Sequence, residues 1–145
     1  MDNSIDNSAD ISTDNHTRIA NALLLLRLGV FLVILMWTLD KFINPDHAAG
    51  IFANFYGLDG WGPTLFMVLG ALELIVLIGF LIGFMKTWTY GIILLIHGIS
   101  SLSTWNQLLN PFDGPNLLFF AGVPMLAACW ALFSLRDLDT RFTVD

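Results

Sequence analysis

Charge is what this sequence has least of. Of its 145 residues only 12% are Asp, Glu, Lys or Arg, while 56% are hydrophobic and the mean hydropathy is +0.72. Soluble domains carry about a quarter charged residues, so the composition predicts a membrane protein. Cysteine is nearly missing too: Cys129 stands alone, which excludes a CxxC redox pair and a thiolate metal site within one chain. With six Lys and Arg against 12 Asp and Glu, there is no basic patch to attract nucleic acid. Period-two alternation is also lacking, which disfavours a transmembrane barrel of short strands.

What is present is a set of long apolar runs. Four of them, at about 19–39, 61–84, 87–105 and 116–135, are each near 20 residues, and a helix of that length covers about 30 Å of hydrocarbon. The expected architecture is therefore all-α, an integral membrane four-helix bundle. Ahead of it, residues 1–18 (MDNSIDNSADISTDNHTR) are polar, acidic and without an apolar h-region. They read as a disordered, solvated cytoplasmic tail and not as a cleaved signal. Residues 136–145 (RDLDTRFTVD) read as a second solvated cytoplasmic tail.

The connections set the order of the helices. GFMKTW at 83–88 is short enough to make the second and third spans antiparallel neighbours. Between the first two spans, Ile51, Phe52, Phe55 and Tyr56 recur at helical spacing between Pro45 and Gly57, which predicts a short interfacial amphipathic helix. Trp37, Trp61, Trp88 and Trp105 fall near span ends, as aromatic-belt residues do. Arg18, Lys86, Arg136 and Arg141 lie on one side and Lys41 on the other. By the positive-inside rule both termini face the cytoplasm.

Against this apolar background the few polar residues within the spans carry the functional question. Arg27, Glu73 and His97, counted from their span ends, all fall roughly 12 to 16 Å from the inner boundary. An unpaired charge at such a depth costs about 2.5–3.5 kcal/mol on the lenient insertion scale. The economical expectation is an Arg27–Glu73 pair with His97 beside it. Tyr90, Ser101 and Thr104 share the helical face of His97, so the ligand-binding or proton-relay candidates are Arg27, Glu73, His97, Tyr90, Ser101 and Thr104. Gly70 and Gly98 would allow close helix approach there. At the outer face Asp40, Lys41, Asn106 and Gln107 are candidates to line one mouth. The polar set reads either as a site or as an ion pair fixing helix register, and both readings stay open. No metal-ligand spacing occurs around His47 and Asp46. His97 is the one histidine inside a span, so a bis-histidine haem cannot form within one chain.

LLLLRLGVFLVILMWTLDKFINPDHAAGIF and GALELIVLIGFLIGFMKTW resemble the first and second helices of the DoxX family of small four-span bacterial and archaeal membrane proteins. The resemblance covers roughly residues 20–135 and matches the family pattern at Arg27, Lys41 and Glu73. It implies a four-helix bundle in a prokaryotic inner membrane, related to quinone-linked respiratory or sulfur-oxidising chemistry and to membrane oxidoreductase complexes. The sequence has no flavin, haem or iron–sulfur motif of its own, and no catalytic residue can be assigned. Three readings follow. The first is an oxidoreductase membrane subunit, holding a quinone near Arg27, Glu73 and His97 while a soluble or membrane redox subunit supplies the chemistry. The second is a non-enzymatic membrane module or assembly factor. The third is a proton-coupled small-molecule transporter built on Glu73. Beside the lipid bilayer, a second copy of the chain is an open partner.

Overall fold

The computed structural model describes the backbone of residues 3–145 and the side chains of residues 12–145. It is helical throughout, without strands among the described residues. The elements are α1 (Asn3–Ile43), α2 (Pro45–Tyr56), α3 (Pro63–Leu81), α4 (Lys86–Ser103), α5 (Trp105–Leu109) and α6 (Gly122–Ser134), with 3₁₀ turns at Asn116–Ala121 and Arg136–Leu138.

Proline and glycine punctuate these elements as local chemistry requires. Pro45 and Pro63 occupy the first turns of α2 and α3, where a missing N–H costs nothing. Gly57 ends α2 in the left-handed conformation at φ 67°, the usual stop for a helix. The helix expected between the first two spans is therefore present as α2, and it packs on both α1 and α3.

Four helices form a closed ring in which α1 packs on α3, α3 on α4, α4 on α6 and α6 back on α1. Neighbours run antiparallel. Gly70 of α3 meets Phe42 and Lys41 near the end of α1, with only 2.9 Å from an added Cβ to the Phe42 ring, whereas Gly83 lies beside Arg27. The α3–α4 hairpin is held by Phe80 against Tyr90 and by Thr89, whose Oγ1 donates to the Phe84 carbonyl at 3.0 Å. Of the two glycines expected to allow close approach, Gly70 does so; at Gly98 a Cβ would have ordinary clearance, 3.9 Å from Leu126.

The core is a thin axial seam of Leu23, Val30, Ile34, Leu77, Phe80, Tyr90, Ile93, Cys129 and Leu132. Apolar side chains such as Leu25, Leu72, Ile75, Leu95 and Trp130 face outward. Apolar residues on both the inside and the outside are the signature of a bundle in lipid. Among the described residues, three helices are long and apolar enough to cross a bilayer, within Ser12–Ile43, Pro63–Leu81 and Asn116–Ser134. Helix α4, with Lys86, Thr87, Thr89, Ser100, Ser101 and Ser103 near its ends, falls short of that apolarity. The fourth run also differs in form, opening as a 3₁₀ turn before α6 takes over.

Both expected tails are structured. Helix α1 begins at Asn3, so most of the polar stretch continues the helix; Met1 and Asp2 lie outside the described residues. At 41 residues α1 is about 60 Å long and extends past the inner end of the bundle. From Ser12 to Ile19 its side chains are largely in solvent, with Asp14 and Arg18 paired one turn apart at 3.8 Å. An i,i+4 carboxylate–guanidinium pair is a helix-supporting feature that composition alone does not weigh. The segment after α6 is not a solvated tail either: Asp139 is fully buried, and Val144 N–H donates to the Ile82 carbonyl at 3.0 Å.

The two faces of α3 give a direct test of this packing. Leu77→Ala removes a side chain with no exposed surface and is expected to cost about 2–5 kcal/mol. Leu72→Ala, at a position 57% exposed, is expected to stay within about 0.5 kcal/mol. Unfolding in mixed detergent micelles measures both, and equal losses would mean that α3 is rotated from the orientation described.

Candidate functional site

Three polar clusters occupy the bundle, each at a different level. The innermost is built on Arg27, whose side chain is 1% exposed. A buried guanidinium is tolerable only if its charge is matched and its N–H groups find acceptors. Its Nη1 lies 3.3 Å from Asp139 Oδ2 and donates to the Tyr90 hydroxyl at 3.2 Å, while Nη2 donates to the Arg141 carbonyl. Tyr90 passes the interaction on, its hydroxyl donating to Asp139 Oδ2 at 2.7 Å. The cluster thus joins α1, α4 and the C-terminal segment. Arg27 Nε and Asp139 Oδ1 are buried there without hydrogen-bond partners.

The second cluster lies toward the other end of α1. Lys41 Nζ stands 2.7 Å from Glu73 Oε2, both side chains being about one-tenth exposed, and it also donates to the Trp37 carbonyl at 3.1 Å. Next to it Asp40 Oδ2 lies 2.7 Å from Nδ1 of the more exposed His47, linking α1 to α2. Asp40, Ile43, Asn44, Pro45, Asp46 and His47 line an open hollow at this outer end.

His97 forms the third. Its Nε2 is 3.1 Å from the Gly122 carbonyl and 3.4 Å from Ser101 Oγ, so it ties α4 to the start of α6. Thr104 is turned back on its own helix, donating to the Ser101 carbonyl at 2.9 Å.

These positions correct the expected Arg27–Glu73 pair. Arg27 is level with Gly83, where an added Cβ would come within 3.0 Å of Nη1, and Glu73 lies ten residues away along α3, about 15 Å up the axis. The depth count took Ile19 and Phe84 as level, but the residue of α1 that lies beside the α3–α4 turn at Gly83 is Arg27. The carboxylate that meets Arg27 comes from the segment read as a solvated tail. Glu73 is paired instead with Lys41, near the end of α1. The stripe Tyr90, His97, Ser101 and Thr104 is likewise divided, Tyr90 joining Arg27 and the other three remaining on the α4–α6 side. At the outer end, Asn106 and Gln107 of α5 are not among the residues lining the hollow beside Asp40. The signal for Asp139 was faint: an acidic residue in a short C-terminal stretch that also contains Leu138, Phe142 and Val144.

Comparison with family models, curated proteins and solved structures finds no match to this chain.

Chemically the clusters behave as clamps: two ion pairs and one histidine–carbonyl contact, each spanning two or more helices or a helix and the C-terminal segment. Double-mutant cycles test the assignment. Arg27 and Asp139 are expected to couple strongly, by several kcal/mol, and Arg27 and Glu73 by nearly nothing. Either single truncation should cost about 3–5 kcal/mol by stranding a buried charge, and the paired Arg27→Met/Asp139→Leu change should recover most of it. Coupling of Arg27 to Glu73 as large as that to Asp139 would restore the convergent site.

Proposed function

We propose that this chain is a DoxX-like, four-span inner-membrane module without a catalytic centre of its own, which anchors or assembles other membrane proteins. The observation that carries the reading is the internal pairing of the bundle's charges, Arg27 with Asp139 and Lys41 with Glu73. A bundle that uses its charges to bind its own helices is built for a fixed shape. The position of α4 in the ring, between α3 and α6, supports counting it as a fourth span despite its polar ends. Lys86, Arg136 and Arg141 gather at one end, Lys86 contacting Asp145 and Arg136 contacting Thr87, while Lys41 is at the other. By the positive-inside rule this supports cytoplasmic termini.

One feature favours a second reading, a membrane subunit of a quinone-linked oxidoreductase. The Asp40–His47 pair beside the outer hollow is a carboxylate–imidazole couple suited to accept a proton from a reduced quinone. In this reading the quinone sits at the outer end, and a partner supplies the redox centre.

Native electrophoresis and lipid mass spectrometry of gently solubilised membranes separate the two. The module reading expects a complex larger than the chain itself that survives Glu73→Gln and His47→Ala, with no stoichiometric quinone. Stoichiometric quinone lost on His47→Ala would establish the second reading instead. For orientation, Phe112→Cys and Phe142→Cys in a Cys129→Ala background, both at highly exposed positions, are expected to differ in whole cells. An impermeant maleimide should label the first directly and the second only after permeabilisation.

A further inference from the structure

Residues 136–145 attach to the inner end of the bundle mainly through polar contacts. Asp139 meets Arg27 and Tyr90, the Arg141 carbonyl accepts from Arg27, Val144 N–H donates to the Ile82 carbonyl at 3.0 Å, and Asp145 Oδ2 accepts from Lys86 N–H at 3.1 Å. The last two contacts satisfy backbone groups that the end of α3 and the start of α4 would otherwise leave without partners. Apolar burial contributes little. Phe142 is 84% exposed and Val144 65%, and only Leu138 packs against the core. A segment with few buried apolar contacts opens locally at low free energy, so its closure depends on these polar contacts, with the buried Arg27–Asp139 pair at their centre.

Gly83 shows independently that the turn between α3 and α4 is shaped to receive this segment. Its φ is +64°, and an added Cβ would lie 2.5 Å from Thr143 Cγ2 and 3.0 Å from Arg27 Nη1. Beneath the segment are Arg27, the Tyr90 hydroxyl and the Lys86 N–H, all donors, with Arg27 Nε buried and unpartnered. A planar guanidinium with the Tyr90 hydroxyl beside it is a donor set that matches a carboxylate.

The geometry points to a detachable strap, residues 136–145, in which Asp139 is the internal carboxylate ligand of an anion-accepting mouth formed by Arg27 and Tyr90. Release of the strap opens this mouth to a carboxylate from solution.

Hydrogen–deuterium exchange on the full chain in nanodiscs tests the strap. In Asp139→Asn and in Gly83→Ala, the Val144 and Lys86 amides are expected to lose at least about tenfold more protection than Leu23–Ile34 and α3 lose in the same variant. Should Asp139→Asn fail to fold, Gly83→Ala carries this arm, because its Cβ meets Thr143 first, at 2.5 Å, and keeps the Asp139 carboxylate in the chain. Unchanged exchange in Gly83→Ala, or protection lost together from strap and α1, would make the segment a fixed part of the bundle and overturn the proposal. The ligand role is read with sodium formate as the probe. Formate should raise the thermal midpoint of Asp139→Gly, chloride at equal ionic strength should not, and neither should act on Arg27→Gln/Asp139→Gly. A formate effect no larger than that of chloride would remove the mouth.

Discussion

The need to neutralise Arg27 organises the inner half of this molecule. A guanidinium cannot shed its charge in a protein, and within an apolar bundle it must be met by a carboxylate or excluded. Asp139 meets it, and several features follow from that choice. The chain after α6 has to turn back under the bundle, which the 3₁₀ turn Arg136–Leu138 begins. Tyr90 has to face inward from the first turns of α4, where its hydroxyl accepts from Arg27 and donates to Asp139. The α3–α4 turn needs a glycine at 83, because a side chain there would strike both the guanidinium and Thr143. Four separated pieces of sequence are thus fixed by one charge.

The same constraint, applied at the other end, gives a different solution. Lys41 and Glu73 come from adjacent helices and pair where both keep a little exposure, so the dehydration cost is smaller and no extra segment is required to cover them. Their helices approach closely at Gly70, against Lys41 and Phe42, one turn from the carboxylate. The inner pair secures the chain's end and the outer pair secures the α1–α3 contact; the core seam between them is mostly apolar, and the buried Thr38 hydroxyl is satisfied by the Ile34 carbonyl.

Much of the fold was legible because its signals are local. Run length and hydropathy mark α1, α3 and α6, the short turn at 83–88 marks the α3–α4 hairpin, and Pro45, Gly57 and the spacing of Phe52, Phe55 and Tyr56 mark α2. Charge pairing is a different kind of information. Arg27 and Asp139 are over a hundred residues apart, and neither composition nor periodicity carries their contact. Depth along the membrane, the one long-range coordinate that sequence offers, failed here because it depends on where the inner boundary is placed. Helix α1 continues through the polar stretch around Arg18 without a break, so the end of its apolar run is not level with the α3–α4 turn, whose Gly83 lies beside Arg27. Glu73 then seemed level with Arg27, and the true partner was discounted as part of a solvated end.

The division of the polar residues bears on what the bundle can do. A buried catalytic or ligand site needs charged and hydrogen-bonding groups to converge within a few ångströms on a common point. Here Tyr90 and His97, seven residues apart on one face of α4, are drawn to opposite partners, the first to Asp139 and the second to the Gly122 carbonyl. Each group thereby spends its strongest contact on holding two elements together. What remains available for outside ligands is concentrated at the ends of the bundle: the Asp40–His47 hollow at one, and at the other the mouth over which the strap lies. Chemistry performed with this protein would therefore be expected at its rims, where a soluble partner or a headgroup-level ligand can reach, and not along its axis.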